Sequence, residues 1–358
     1  PLGIGSNQNF DRAFSGHTGV RLINNINIYP QPFYGAQIED IKELPEFTRL
    51  ESLFIKSIES TLNQLDTLDK TRTVLIISTT KGNIDLLADG KSNADRLQLH
   101  KMAEVINRNF ELPNRPIVVS NACISGVSAM LTAQKLIRSG RYDNAIVSGG
   151  DLLTEFIVSG FQCLMAIDDK PCQPYDAARA GINLGEACAT VLISTNKALN
   201  KPLAKILGGG QSNDANHISG PSRTGEGLKQ AVEAASEAAQ IKLNELDYIN
   251  AHGTATLFND EMESIAFNRL SLSDKPLNSL KGYFGHTLGA AGLIESIFTI
   301  EQMRRKVMLP SFGFNAMGVS MPLNIIKDET LSDDNVKIAL KTVSGFGGCN
   351  AAIIFESL

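Results

Sequence analysis

Short runs of apolar, mostly β-branched residues recur along the chain and alternate with longer stretches in which small and apolar residues mix. Residues 73–77, 116–119 and 145–147 form such runs, which are typical of buried strands. Residues 125–139 combine glycine, alanine and serine with valine, methionine and leucine, which is typical of a helix. Because strands and helices alternate, the pattern predicts an α/β fold.

A second round of the same pattern begins near residue 201. It consists of strand-like runs at 204–207, 247–251, 337–340 and 351–355 and helix-like stretches at 226–240 and 289–304. We therefore predict two pseudo-equivalent α/β halves, residues 1–197 and 198–358. The halves share this order of elements, but no internal sequence repeat is strong enough to prove a duplication.

Composition and charge narrow the class of protein. With 358 residues, of which 43% are hydrophobic, the chain can bury a large core. The formal net charge of -5 argues against nucleic acid and anionic membranes as partners. No apolar run approaches the roughly 18 residues of a membrane span, and the first residues do not form a signal-peptide pattern, so we expect a cytoplasmic protein.

The spacing of the cysteines does not indicate a set of disulfide bonds. They are odd in number and widely spaced, and they form neither a Cys-x-x-Cys pair nor a cysteine and histidine cluster of the zinc-binding kind. We therefore expect reduced thiols, without disulfides and without a zinc site. The five positions are Cys123, Cys163, Cys172, Cys188 and Cys349.

Cys123 lies where the apolar run 116–119 breaks sharply into the small-residue stretch that starts at Ser125. At such a junction, backbone N–H groups and the helix dipole stabilise a thiolate or an oxyanion. Hydrolases use a similar arrangement of strand, turn and nucleophile. A buried structural thiol is the alternative for an isolated cysteine of this kind, so the interpretation depends on other segments.

Three later segments carry candidate partners for Cys123. His252 ends a predicted strand and opens a His-Gly-Thr-Ala-Thr run, at the end of a strand where reactive side chains gather. His286 precedes a helix whose first turns consist largely of small residues, which permits close approach of another element or of a ligand. Residues 344–350 form a glycine-rich turn with one aromatic, Phe346, which suits either a loop or a gate.

Taken in order, these four segments resemble the elongating β-ketoacyl-ACP synthases of the thiolase superfamily. Members of that family carry the motifs Ala-Cys-x-(Ser/Thr)-Gly, His-Gly-Thr-x-Thr, Lys-x-x-x-Gly-His-x-x-Gly-Ala-Ala-Gly and Gly-Phe-Gly-Gly-x-Asn. In this chain the motifs occupy residues 122–126, 252–256, 281–292 and 345–350. Further similarities extend the resemblance over almost the whole chain, at residues 1–3, 16–20, 174–186 and 214–221.

The resemblance implies a thiolase-like fold in which two α/β halves stack as α-β-α-β-α layers. It implies decarboxylative Claisen condensation of an acyl thioester with malonyl-ACP to give β-ketoacyl-ACP, in fatty acid synthesis or in specialised synthesis of the polyketide or aryl-polyene type. The implied partners are an acyl carrier protein, which delivers its phosphopantetheine arm, and a second ketosynthase subunit in a homodimer or heterodimer. No cofactor or metal bound by the chain itself is implied.

The resemblance also implies a role for each matched residue. Cys123 would carry the acyl chain, His252 and His286 would donate hydrogen bonds to an enolate oxygen, and Lys281 would order the site electrostatically. Backbone N–H groups of Cys123 and Phe346 would hold the tetrahedral intermediate, and the Phe346 ring would gate the site. The remaining matches are two supporting acids and three residues near the pantetheine tunnel: Asp260 and Glu295, then Thr254, Thr256 and His217.

Three departures from the family pattern bear on these expectations. The chain starts at Pro1, so the strand that ordinarily precedes the Pro-Leu-Gly motif of residues 1–3 is missing from the sequence. The region 23–71 is shorter than in relatives. We therefore expect differences in the acyl pocket and the dimer surface. Cys349 replaces the customary threonine, which raises a thiolase as an alternative, because thiolases use a late cysteine as acid and base. The Cys-Asn-Ala context of Cys349 argues against a thiolase.

A different alternative is a non-catalytic partner of the chain-length-factor type. Such subunits generally lose the nucleophile, so the retention of Cys123, His252, His286 and Lys281 argues against this alternative. A priming ketosynthase would carry asparagine where this chain has His286. A hydrolase would need a base that acts on water and would have no use for the second histidine.

Overall fold

The computed structural model describes residues 1–39, 41–87, 94–196, 199, 202–214, 216–217, 220–328, 330–331 and 336–358. Within these residues, no helix combines the length and the apolar character that crossing a bilayer requires. The predicted boundary between residues 197 and 198 lies outside the described residues. The division into 1–197 and 198–358 therefore stays a prediction.

The described helices range from a single turn to about four turns. They are α1 (Gly5–Phe14), α2 (Arg49–Leu62), α3 (Ala94–Leu97), α4 (Leu99–Asn109), α5 (Ser125–Arg138), α6 (Glu155–Cys163), α7 (Glu226–Ala239), α8 (Leu257–Arg269), α9 (Lys281–Phe284) and α10 (Ala291–Arg305). The three helices expected from the sequence correspond to α5, α7 and α10. The last of them begins later than expected, because a 3-10 turn, Leu288–Ala290, precedes it.

The described strands include all seven runs that the pattern predicted. They are β1 (Arg21–Ile23), β2 (Phe33–Ala36), β3 (Thr73–Ser78), β4 (Ile117–Val119), β5 (Asn144–Asp151), β6 (Leu184–Gly185), β7 (Ala187–Ser194), β8 (Ala204–Asn213), β9 (Tyr248–Asn250), β10 (Leu277–Asn278), β11 (Val307–Met308), β12 (Thr330–Leu331), β13 (Ile338–Gly345) and β14 (Cys349–Ser357). The α/β class expected from the sequence is confirmed.

Two large sheets form the framework. The first has the order β4-β3-β5-β7, in which β3 runs parallel to both β4 and β5 while β7 is antiparallel to β5. The second has the order β10-β9-β13-β14-β8, in which β9 runs parallel to β10 and β13. Segments that follow β4 and β9 carry Cys123 and His252, so the candidate site lies where strands of both sheets end.

Alternating side chains on β3 show that helices cover both faces of the first sheet. Val74 and Ile76 pack in the same apolar cluster as α5 and α10, whereas Leu75 and Ile77 pack with α2 and α4. Both α5 and α10 also contact the second sheet, whose other face is covered by α7. The elements therefore stack as α-β-α-β-α layers, as expected from the resemblance, with α5 and α10 in the central layer.

A glycine allows the two central helices to approach each other closely. A methyl group added at Gly126 would lie 2.6 Å from the backbone nitrogen of Leu293 and 3.2 Å from the carbonyl oxygen of Gly289. The first distance is shorter than a methyl carbon tolerates, and the second is tight. The small residues that open α5 therefore bring the turn carrying Cys123 against the segment carrying His286.

We expect Gly126→Ala to lower the melting temperature, because crowding in a packed core typically costs about 1–3 kcal/mol. Gly160→Ala is the matched control, since a methyl group at this exposed position on α6 would meet nothing within 4 Å. Alanine favours a helix over glycine by about 1 kcal/mol, so the control should be unchanged or slightly stabilised. Thermal unfolding followed by circular dichroism makes the comparison. Equal melting temperatures for the two variants would contradict the close approach.

Candidate active site

Cys123 sits in a tight turn between β4 and α5. Ala122 adopts left-handed backbone geometry, with φ of 44°, so the chain reverses direction sharply at this point. The Ser125 hydroxyl fixes the turn by accepting a hydrogen bond from the Asn121 N–H (2.8 Å) and donating one to the Ala122 carbonyl (2.6 Å). Cys123 is left only 7% exposed at the start of the helix. The junction expected from the sequence is therefore present.

The structure brings Cys123, His252 and His286 together. The Cys123 sulfur and one ring nitrogen from each histidine lie within 4.8 Å of one another. The two imidazole rings meet edge to face, with centroids 5.2 Å apart and planes at 85°. Three segments far apart in the sequence thus converge on one buried thiol.

Hydrogen bonds determine which nitrogen of His252 carries the proton. The Lys281 ammonium lies 3.1 Å from His252 Nδ1 and donates to the His252 carbonyl (2.6 Å) and to Glu295 Oε1 (2.7 Å). An ammonium group has hydrogens to give and no lone pair, so Nδ1 must be the acceptor. We therefore assign the proton to Nε2.

His286 is held in the same tautomer by the backbone. Its Nδ1 accepts a hydrogen bond from the Leu288 N–H at 3.1 Å, which leaves the proton on Nε2. This Nε2 is buried and has no hydrogen-bond partner among the described residues. Burial, followed by the charge of Lys281, holds the pKa of both His252 and His286 well below the usual value. Both rings are therefore neutral N–H donors beside the thiol.

The directions of these hydrogen bonds fit histidines that donate from Nε2 better than histidines that bind a metal. A histidine that ligates a metal uses a lone pair toward the metal and ordinarily donates its other ring N–H to an acceptor. In His252 and His286 the second ring nitrogen, Nδ1, accepts a hydrogen bond instead of donating one. One sulfur and two imidazoles at this spacing would otherwise be a reasonable zinc ligand set.

Burial keeps the resting thiol of Cys123 protonated. It raises the pKa of Cys123 to about 12, and the neighbouring Cys349 contributes in the same direction. The charge of Lys281 and a hydrogen bond from the Phe346 backbone lower this pKa without overcoming burial. The nearby positive charge and the backbone N–H thus favour the thiolate, but the loss of water outweighs them.

Glu295 holds two buried ammonium groups. Its Oε1 lies 2.7 Å from Lys281 Nζ, and its Oε2 lies 2.6 Å from Lys341 Nζ. All three side chains are nearly or fully buried. Glu295 was expected as a supporting acid, whereas Lys341 on β13 was missed, although a single lysine amid apolar neighbours in a strand is a visible signal.

Two carboxylates on α8 clamp the backbone that carries His252. Asp260 accepts the N–H of Thr254 at 3.0 Å, and Glu263 accepts those of His252 and Gly253 at 2.8 and 2.7 Å. Burial, with the charge of Glu263 second, raises the pKa of Asp260 to about 7. Asp260, which was expected as a supporting acid, therefore binds the backbone of the loop that follows His252. Sequence reasoning missed Glu263, although its spacing from Asp260 puts both acids on one helical face.

A pair of stacked aromatic rings adjoins the turn of Cys123. The Phe346 ring stacks on Phe161 of α6, with centroids 5.4 Å apart and planes at 29°. The Cys349 thiol lies 3.2 Å from the Phe346 carbonyl, to which it donates, and 4.0 Å from the Asn121 carbonyl. Cys349 therefore joins the loop of Phe346 to the turn of Cys123. Nothing in the sequence pattern pointed to Phe161.

The three residues expected near a pantetheine tunnel differ in their surroundings. Thr254 is buried, and its hydroxyl lies 2.8 Å from that of the half-buried Thr256. His217 is exposed, and residue 215 of its loop lies outside the described residues. A substrate-binding role for these three residues stays a prediction.

Nitrogen NMR of histidine-labelled protein tests the assigned tautomers. We expect His252 and His286 to show a protonated Nε2 and an unprotonated Nδ1 from pH 8 down to below pH 6, because their lowered pKa values keep the rings neutral. The other three histidines, His17, His100 and His217, provide the comparison within one sample. A buried ring that takes up a second proton near pH 6.5, or that carries its proton on Nδ1, would contradict the assignment.

Comparison with known proteins gives one consistent match. Residues 58–198 match the family described as "Beta-ketoacyl synthase, N-terminal domain", and residues 203–315 match "Beta-ketoacyl synthase, C-terminal domain". The 3-oxoacyl-[acyl-carrier-protein] synthase homolog of Saccharomyces cerevisiae is 32% identical over 70% of this chain and 61% of its own length. The 3-oxoacyl-[acyl-carrier-protein] synthase 2 of Rhizobium meliloti is 32% identical over 70% of this chain and 62% of its own. The chain thus spans about three-fifths of these relatives.

The fold agrees over the full length of the chain. The solved structure of the ishigamide ketosynthase/chain length factor superposes with a TM-score of 0.90 at 25% identity, and the match covers 100% of this chain and 96% of that one. The two matched domains, the curated relatives and the shared thiolase-like fold are in agreement. This chain belongs to the β-ketoacyl synthase family.

Proposed function

We propose that this chain is an acyltransferase that condenses an acyl thioester on Cys123 with malonyl-ACP, releasing carbon dioxide and giving β-ketoacyl-ACP. The observation that carries the proposal is the meeting of one thiol with two neutral imidazole N–H donors. The acyl product would serve fatty acid synthesis or specialised synthesis of the polyketide or aryl-polyene type. Membership of the β-ketoacyl synthase family supports this reading.

The first half-reaction loads the acyl group. The Cys123 sulfur forms a bond to the acyl carbon, the bond from that carbon to the carrier's sulfur breaks, and the thiol proton ends on the released carrier thiol. Because the resting thiol is protonated, the proton must leave as the sulfur attacks. Backbone N–H groups of Cys123 and Phe346 are suited to hold the oxyanion of the tetrahedral intermediate.

The second half-reaction forms the carbon-carbon bond. The malonyl carboxylate leaves as carbon dioxide, and the electron pair of the broken bond moves onto the thioester as an enolate. The Nε2–H groups of His252 and His286 donate to the enolate oxygen. The enolate carbon then attacks the acyl carbon, the bond to Cys123 breaks, and the thiolate takes up one proton.

The partners follow from the same proposal. An acyl carrier protein would deliver both substrates on its phosphopantetheine arm, with Thr254, Thr256 and His217 along the arm. The names of the curated relatives include the acyl carrier protein, and the superposed structure pairs a ketosynthase with a chain length factor. A homodimer or a heterodimer is consistent with these relatives. The cytoplasmic location expected from the sequence stays a prediction.

Separating the two half-reactions tests the proposal. We expect an acyl-carrier substrate to add its acyl mass to the Cys123 peptide, and Cys123→Ala to abolish this addition. His286→Ala should still be acylated but should release carbon dioxide from malonyl-carrier about 100- to 1000-fold more slowly, as expected when one oxyanion donor is lost. Peptide mass spectrometry and carbon dioxide release provide the readouts. A wild-type chain that folds but never acylates would refute the proposal and would fit a non-catalytic partner subunit.

Cys349→Thr separates a decarboxylating synthase from a thiolase. A threonine hydroxyl can replace the thiol as donor to the Phe346 carbonyl, so condensation with malonyl-carrier should stay at the same order of magnitude. A thiolase would need the Cys349 thiol as acid and base and would lose its activity. Initial rates with malonyl-carrier and with an unactivated acyl acceptor are compared. Wild-type condensation with the unactivated acceptor that is lost in Cys349→Thr would favour the thiolase.

A further inference from the structure

Lys341 is a second buried ammonium group beside the histidine pair, and it has no part in the steps above. Its Nζ lies 2.6 Å from Glu295 Oε2, 3.1 Å from the Ala251 carbonyl and 3.4 Å from the Asn250 carbonyl. The two carbonyls accept hydrogen bonds from the ammonium group, and its contact with Glu295 is an ion pair. The two carbonyls belong to the segment that leads directly into His252.

We propose that Lys341 is a positioning residue: by holding Oε2 of Glu295 it keeps Oε1 on Lys281, and so keeps the Lys281 ammonium against Nδ1 of His252. The inference rests on the proposed function only for its effect on rate. The path from Lys341 to the ring consists of contacts of 2.6, 2.7 and 3.1 Å. The first contact is a buried ion pair, and the other two are hydrogen bonds of the Lys281 ammonium group, which fix a direction as well as a distance.

Fold stability alone is a poor explanation for this cluster. Two buried ammonium groups share one carboxylate, so the group of Lys281, Glu295 and Lys341 carries a net charge of +1 when all three are ionised. Removing such charges from water is costly, and apolar residues of similar volume often stabilise a core as well or better. A net positive charge next to two N–H donors has a clear chemical use, because the enolate that forms there is negative.

The same charge also favours the neutral form of both histidines. Lys341 lowers the pKa of His252 and His286, although burial and the charge of Lys281 contribute more at both rings. At His252 a second proton would lie on Nδ1, against the Lys281 ammonium group. Lys341 therefore acts on the histidine pair through its charge as well as through Glu295.

The charged groups around Lys341 give the cluster a dependence on pH. Glu295 on α10, Lys281 on α9 and Glu263 on α8 face it, and burial lowers the pKa of Lys341 to about 8. As pH rises through this value, Lys341 loses its proton and the net charge of the cluster falls from +1 to zero. We expect the rate of malonyl decarboxylation to fall above about pH 8, while acylation of Cys123 does not follow this titration.

The test compares Lys341→Met with Lys337→Met, which removes an exposed lysine immediately before the same strand. We expect Lys341→Met to slow carbon dioxide release by about 10- to 100-fold, the range seen when outer partners of a site are removed. Acylation of Cys123 should be unchanged, and the decline above about pH 8 should be absent. Lys337→Met should match the wild type in both half-reactions and in its pH profile.

Histidine NMR gives a readout that does not require turnover. In Lys341→Met we expect the pKa of His252 to rise, since a nearby positive charge has been removed. If Lys341→Met does not fold, the wild-type pH profile decides: carbon dioxide release should fall above about pH 8, whereas acylation of Cys123 should not. Parallel pH profiles for the two half-reactions would then overturn the inference.

The outcomes separate this inference from the proposed function. A wild-type chain that neither acylates nor releases carbon dioxide contradicts the proposed function, and the NMR comparison still decides whether Lys341 acts on His252. Wild-type decarboxylation and an unchanged pH profile in Lys341→Met overturn the inference. Equal losses in both half-reactions also overturn it, because they indicate a purely structural residue.

Discussion

The site depends on the contact between the Lys281 ammonium and Nδ1 of His252. A permanent donor at this position leaves the ring nitrogen no choice but to accept, so the ring proton stays on the opposite side. If the donor were replaced by a carbonyl or a carboxylate, the ring would reverse its tautomer and present a lone pair at Nε2, which is what a general base needs. The Lys281 ammonium group thus decides whether the pair of Cys123 and His252 is suited to condensing thioesters or to activating water.

The backbone around His252 is fixed by equally local means. Glu263 accepts the N–H groups of His252 and Gly253, while Lys281 donates to the His252 carbonyl. The peptide groups on both sides of the ring are therefore bound to charged, buried side chains from two different helices. These backbone contacts explain how a residue two positions after a three-residue strand can keep a defined orientation.

Much of this arrangement could be predicted from local sequence. Breaks after apolar runs located Cys123 and His252 at strand ends, and the order of the motifs linked them to His286 and Phe346. Contacts between distant segments could not be read in the same way: Phe161 stacks on Phe346 across the fold, and Lys341 meets Glu295 only because β13 and α10 pack together. The extent of β8 was also underestimated, since the glycines at 208–210 carry no strand signal. The high pKa of Cys123 could not be read from local sequence either, because burial is a property of the whole fold.

The stacked rings of Phe161 and Phe346 have a consequence for timing. Such a pair contributes about 0.5–1.5 kcal/mol beyond the area it buries, which is a weak latch compared with the binding energy of a carrier-bound thioester. In the proposed reaction an arriving carrier arm would therefore have only a small free energy to overcome in separating the rings. An acyl group held on the Cys123 sulfur between the two half-reactions would wait beside the re-stacked pair, with less access of water to the thioester.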